Sequence, residues 1–261
     1  MTNVINNPIC FVGAGPGDIE LITVKGRRLL DEADCIVYAG SLVNPDLLKG
    51  CQAKEIHDSQ GMDLEQILNV MGAAWRRGEK VVRLHTGDPS IFGAIKEQMQ
   101  RLDKWNIPYL VIPGVTSAAG AAAALQAELT LPEVSQTVII TRQEGRTPVP
   151  EGEKLRNLAS HQATMMIFLS VGMIEKVVDE LIAGGYPPST PIAIVERATW
   201  PNQNIVRGTL ATIAPLVNSH NIKKTAMICV GRVFGEEPLA AESKLYDSSF
   251  SHGTREARCG K

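Results

Sequence analysis

The chain has 261 residues, of which 44% are hydrophobic, 21% charged and 5% aromatic. This profile excludes disordered and fibrous classes and is long enough for two cores. Its formal net charge of -2 excludes the strongly basic surface that nucleic acid or an anionic membrane favours, so an anionic ligand has to be met by a local basic cluster. The five cysteines, Cys10, Cys35, Cys51, Cys229 and Cys259, show no CxxC pair and no metal spacing. They read as small hydrophobes in a reducing compartment, and no metal is expected. The amino terminus carries no secretory pattern, and no window approaches the roughly 20 apolar residues of a membrane span, so a cytoplasmic location is expected.

In chain order, strand-like runs alternate with helical patterns. Strands are read at "ICFVG" (9–13), "CIVYAG" (35–40), "AKEIH" (53–57), "VVRLH" (81–85) and "YLVIP" (109–113), with helices between them. In "LEQILNVMGAAW" (64–75), Leu64, Ile67, Leu68, Met71 and Trp75 share one face, as a core-facing helix requires. A helix is then read through "AAAALQAEL" (121–129), followed by strands at "QTVIIT" (136–141), "TMMIFLS" (164–170), "PIAIVER" (191–197), "NIVRGTL" (204–210) and "KTAMICVG" (224–231). Only "ATWPNQ" separates two of these, which favours a hairpin and a mixed sheet. The expected fold is α/β with two α/β domains, residues 1–114 and 115–236. The N-terminal sheet is largely parallel and five-stranded, the C-terminal one mixed and five-stranded, with the ligand cleft between them. Residues 237–261 lose periodicity and read as an exposed C-terminal tail.

Five stretches could carry chemistry. "FVGAGPGD" (11–18) has glycines at 13, 15 and 17, not the G-x-G-x-x-G of a dinucleotide turn. Pro16 removes a donor and Asp18 sets a carboxylate where an anion would lie. A structural turn, or close approach to an uncharged or cationic ligand, remains. "YAGSLV" (38–43) and "HTGDPSIFG" (85–93) also follow strands, and three polar strand ends suggest one shared cleft. His57 and Asp58 in "IHDSQ" point to opposite strand faces and are no ready-made dyad. Arg142 and Arg146 in "TRQEGRTPVP" suit carboxylates or phosphates, or else pair with Glu144 in an exposed loop.

Taken together, "FVGAGPGDIELITVKGRRLLDEADCIVYAGSLV", "RLHTGDPSIFGAIKEQ", "VIPGVTSAAGAAAAL", "ITRQEGRTPVP" and "ATWPNQNIVRGTL" resemble the tetrapyrrole methylases, in order and over nearly the whole chain up to about Gly235. The resemblance implies an S-adenosylmethionine-dependent C-methyltransferase of cobalamin biosynthesis that releases S-adenosylhomocysteine, commonly as a homodimer. The implied acceptor is precorrin-4, with or without cobalt, methylated at C11; another corrin carbon is the alternative. Implied cofactor contacts are Pro16, Thr86, Gly87, Asp88, Ile91, Thr116, Ser117, Leu169, Trp200 and Ala226. Ser41, Arg142 and Arg146 are candidate substrate contacts, and Asp58 and Ser59 candidates for catalysis. Relatives acting on uroporphyrinogen carry "YDR" at the second strand end, whereas this chain has Tyr38, Ala39 and Gly40, which argues against that reaction. Readings of another class are a nicotinamide-dependent oxidoreductase and a non-catalytic S-adenosylmethionine-binding module.

Overall fold

A computed structural model describes residues 7–235, 243, 249–251 and 253–256. Most of the expected tail therefore lies outside the described residues. The chain forms two compact units, Met1–Gly120 with Arg197–Gln203, and Ala121–Glu196 with Asn204–Lys261. The border expected after Gly114 falls in the segment that follows the fifth strand. No described helix is long and apolar enough to cross a membrane.

The first unit is built on β1 (Ile9–Gly13), β2 (Cys35–Tyr38), β3 (Glu55–Asp58), β4 (Val81–His85) and β5 (Tyr109–Ile112), in the order β3-β2-β4-β1-β5. Every neighbouring pair is parallel. Alternation along the strands supplies two apolar faces. Ile9, Phe11, Cys35, Val37 and Val81 pack with α2 (Leu64–Arg76) and α3 (Ile95–Lys104), while Cys10, Val12, Ile36, Val82 and Leu84 pack with Leu30 of α1 (Val24–Asp31). Helix α2 starts at a capping box in which Asp63 accepts from the Gln66 amide at 2.8 Å and Gln66 accepts from the Asp63 amide at 3.0 Å. It buries Ile67, Leu68 and Met71, each contributing about 1.5–3 kcal/mol of apolar transfer energy.

The second unit contains β6 (Val138–Arg142), β7 (Thr164–Phe168), β8 (Pro191–Glu196), β9 (Asn204–Thr209) and β10 (Ala226–Val230), in the order β6-β7-β10-β8-β9. The β6–β7 pair is parallel and the other three pairs antiparallel, so the sheet is mixed and β8–β9 is the expected hairpin. Helices α5 (Leu155–Ala159), α6 (Ile174–Ala183) and α7 (Ile213–Ser219) cover one face through Leu155, Val177, Leu181, Ile213 and Val217. Helix α4 runs from Ser117 to Leu125, earlier than the stretch 121–129 read from the sequence. Gln126 at φ 53° turns the chain out of the helix, and Arg207 of β9 donates to the Leu125 carbonyl at 3.2 Å, fixing that end on the sheet.

Candidate active site

From β1 the chain crosses to β2 on one side of the first sheet, and from β4 to β5 on the other. The carboxyl ends of β1 and β4 therefore form a topological switch point, where open α/β sheets bind ligands. The two loops there are joined by backbone. Gly15 donates to the Gly87 carbonyl at 3.2 Å, Gly87 donates back at 2.8 Å, and Ala14 donates to the His85 carbonyl at 2.7 Å. Both glycines have positive φ, 78° and 60°, which L side chains resist. A third loop presses on the same spot: a Cβ on Gly114 would lie 2.2 Å from the Gly87 carbonyl oxygen and 2.8 Å from Gly13 Cα. Only bare backbone fits.

Asp88 fastens these loops. Its Oδ2 accepts from the Gly114 amide at 2.9 Å, and its Oδ1 accepts from the Ser90 amide at 2.8 Å and from the Ser90 hydroxyl. Burial would raise its pKa, but the Ser90 hydroxyl and the Gly114 and Ser90 amides outweigh it and hold the carboxyl below the usual range. Gly87 abuts Thr116 and Ser117, at 3.4–3.7 Å from where its Cβ would be. Thr86, Ile91, Thr116 and Ser117 are half-buried along this rim.

The segment Arg197–Gln203 returns from the β8–β9 hairpin to this unit. Trp200 Nε1 donates to the Pro16 carbonyl at 3.0 Å, and the indole lies so close to Gly17 that a Cβ there would be 2.0 Å from the ring. Asp18 donates its amide to Thr199 Oγ1 at 2.9 Å, and Asn44 Nδ2 donates to the Gly17 carbonyl at 2.9 Å. The first glycine turn thus spends its Gly15 and Asp18 amides on protein, and Pro16 has none. A three-residue 3₁₀ turn, Ile19–Leu21, follows it rather than a long helix. This is no pyrophosphate cradle. Of the sequence candidates, Pro16, Thr86, Gly87, Asp88, Ile91, Thr116, Ser117 and Trp200 all fall on these loops.

The ends of β2 and β3 are also interlocked. Ser59 donates its hydroxyl to the Tyr38 carbonyl at 2.8 Å, and Asp58 Oδ1 accepts from the Gln60 amide at 2.8 Å. Ser59 is buried and committed to the backbone, whereas the Asp58 carboxylate is exposed. The Ser41 side chain lies outside the described part of the structure. His57 pairs with Glu55 at 3.3 Å rather than with Asp58, as alternation along a strand requires.

In the second unit, Arg142 donates to the Thr147 carbonyl at 3.2 Å and to the Pro148 carbonyl at 2.7 Å, so its guanidinium shapes the loop after β6. Arg146 on the same loop is exposed. Leu169, directly after β7, is 69% exposed and sits at φ 55°. Ala226 opens β10 and is half-buried. The Ser170 hydroxyl ties the β6 and β7 ends, accepting from the Gln143 amide at 2.8 Å and donating to the Phe168 carbonyl at 2.6 Å.

Two buried polar residues on β4 escaped the sequence reading. Arg83 and His85 are 5% and 4% exposed and point to one face. Arg83 donates to the Val37 carbonyl at 3.2 Å, while its Nε and His85 Nε2 are buried without a hydrogen-bond partner. Burial pushes the Arg83 pKa down to about 10 and the His85 pKa down to about 3, the Arg83 charge adding to the latter. His85 is therefore a neutral imidazole, its ring 6.0 Å from that of Phe11, at the residue that precedes the Thr86–Asp88 loop. The available signal was a basic pair inside an otherwise apolar run.

Known proteins resemble the chain along most of its length. The family described as Tetrapyrrole (Corrin/Porphyrin) Methylases matches residues 8–214. A cobalt-precorrin-4 C(11)-methyltransferase of Methanocaldococcus jannaschii is 58% identical over 253 residues, 97% of each chain. A precorrin-4 C(11)-methyltransferase of Pseudomonas aeruginosa is 50% identical over 94% of this chain and 97% of that one. Among solved structures, a cobalt precorrin-4 methyltransferase, described as a cobalamin biosynthetic enzyme, superposes with a TM-score of 0.85 at 46% identity, covering 87% of this chain and 96% of that one. A uroporphyrin-III C-methyl transferase of Thermus thermophilus complexed with S-adenyl homocysteine gives 0.74 at 29% identity, covering 88% and 96%.

Proposed function

Because the chain belongs to the tetrapyrrole (corrin/porphyrin) methylases and is a methyltransferase of that family, we propose that it methylates C11 of cobalt-precorrin-4 or precorrin-4 in cobalamin biosynthesis, with S-adenosylmethionine as donor. The observation that carries the substrate is the end-to-end match to relatives named for that reaction. The switch-point loops support the donor: the Gly15, Gly87 and Asp18 amides are spent on protein, Pro16 has none, and an acid fastens the Thr86–Gly87 turn, which suits a cationic ligand better than a dinucleotide.

S-adenosylmethionine supplies, when bound, a methyl group on an electrophilic sulfonium. The protein's contribution is therefore orientation, which is able to lower a barrier by about 7–11 kcal/mol when the reacting atoms are well aligned. In this reading Gly15 and Gly87 fix the loop backbones, Asp88 holds the Thr86–Gly87 turn against Gly114, and Trp200 closes over Pro16. Thr86, Ile91, Thr116 and Ser117 supply the half-buried contact surface. Leu169 and Ala226 are the contacts proposed in the second unit. Arg146 meets an acceptor carboxylate, with Arg142 supporting the loop that carries it and Ser41 as a further acceptor contact. Asp58, exposed at the end of β3, is the proposed group for proton handling, and Ser59, bonded to the Tyr38 carbonyl, is the second candidate there.

Calorimetric titration with S-adenosylhomocysteine tests the donor site: one molecule bound per chain and none of NADH is the expected result. NADH binding without S-adenosylhomocysteine binding overturns the reading. A homodimer in the cytoplasm completes the proposal, and sedimentation at micromolar concentration measures the dimer directly.

A further inference from the structure

We propose that Cys35, Glu55 and His57 form a binding site for one divalent transition-metal ion, zinc being the best match, on the edge of the first sheet and independent of the methyl-transfer reading. The register brings the three together. Cys35 of β2 lies opposite Glu55 of β3, and Val37 opposite His57. Glu55 and His57 are two apart on one strand and so share a face, which Cys35, the partner of Glu55, shares as well. One ligand atom from each residue lies within 4.8 Å of the other two.

Thiolate, imidazole and carboxylate together suit a borderline-soft ion such as Zn²⁺, and not Mg²⁺ or Ca²⁺, which take oxygen. Tetrahedral geometry with bonds of about 2.1 Å to N and O and about 2.3 Å to S separates ligand atoms by roughly 3.4–3.6 Å. His57 Nε2 and Glu55 Oε2 already stand 3.3 Å apart, and with one ligand atom from each residue within 4.8 Å of the others a closure of about 1.2 Å at most brings the set to that spacing. The outer groups agree with this arrangement. Arg77 holds Glu55 Oε1 at 2.9 Å and is itself held by Glu79 Oε2 at 2.7 Å, which leaves Glu55 Oε2 turned toward His57. Cys35 is fully buried while Glu55 and His57 are half-buried, so the fourth position opens toward solvent and takes water. On binding, the metal–sulfur bond replaces the S–H bond and the thiol proton leaves to solvent. The ion would clip the edge strand β3 to β2 one residue before Asp58.

The test is titration of chelator-treated protein with Co²⁺, read in the near-ultraviolet sulfur-to-cobalt charge-transfer absorption, followed by displacement with Zn²⁺. One equivalent with that absorption is expected. Cys35→Ser abolishes the absorption, His57→Gln weakens affinity by at least about tenfold, and Cys51→Ser changes neither. Because serine at a fully buried position opposes folding, His57→Gln and Glu55→Gln carry the test on their own: at one Zn²⁺ concentration the melting temperature of the parent protein rises by more than that of either variant, and equal rises overturn the proposal. Absence of the charge-transfer absorption, its survival in folded Cys35→Ser, or affinity within twofold in His57→Gln overturns the proposal.

Discussion

Replacing Asp88 by alanine tests the carboxylate as a fastener of the loops around the proposed donor site. The substitution removes the acceptor of the Gly114 and Ser90 amides and of the Ser90 hydroxyl. Hydrogen bonds to a charged group are worth about 1.5–3 kcal/mol each when buried. Asp88 is only half-buried, so water replaces part of that, and about 1–3 kcal/mol in total is the expected loss of loop-ordering energy. At 1.4 kcal/mol per tenfold, this weakens S-adenosylhomocysteine binding by about 5–150-fold. Asp88→Asn keeps one acceptor oxygen and should fall between the parent and Asp88→Ala. The sign with pH follows from the depressed folded pKa: the stabilisation is present above the ordinary value of 3.8 and is lost as pH falls through the lower folded value. Calorimetry on both variants at neutral pH is the assay. Affinity within twofold of the parent in Asp88→Ala refutes the role assigned to the carboxylate.

Other outcomes follow from the same geometry. Gly114→Ala forces a Cβ to 2.2 Å from the Gly87 carbonyl oxygen and should cost about 1–3 kcal/mol of stability in thermal denaturation, together with donor affinity. Trp200→Phe keeps a ring over Gly17 but loses the bond to Pro16, about 0.5–1.5 kcal/mol, read as a melting shift of a few degrees. Arg146→Gln should raise the acceptor KM with melting unchanged, whereas Arg142→Gln should also speed proteolysis of the loop holding Thr147 and Pro148; equal effects would merge their roles. His85 takes up a proton near pH 6.5 when unfolded but only near 3 when folded. Stability therefore falls with acidification across that window by about 1.4 kcal/mol per pH unit, and His85→Gln should flatten this slope by about one proton.

The sequence displays its strands because strong apolar alternation and Gly-rich strand ends are local signals. β1 and β4 coincide with the runs "ICFVG" and "VVRLH". The sequence places the helix of "SAAGAAAAL" too late because an alanine run has no polar face to mark its ends; the helix starts at Ser117, and Gly120 in its first turn packs against Pro16. The return of Arg197–Gln203 to the first unit is invisible locally, since "ATWPNQ" looks like any hairpin connection and its role rests on the contact of Thr199 with Asp18, 181 residues away. Cys35, Glu55 and His57 have no ligand-like spacing along the chain, and only the β2–β3 register makes them neighbours. Arg142 stood out by residue type, yet its role depends on carbonyls five and six residues onward.

The central claim is methyl transfer to one carbon. Incubation of the purified protein with isotopically labelled S-adenosylmethionine and cobalt-precorrin-4, or metal-free precorrin-4, followed by mass analysis and NMR, should show one labelled methyl at C11 of at least one of the two acceptors. A methyl at another carbon, or none on either acceptor from a protein that binds S-adenosylhomocysteine, contradicts the account.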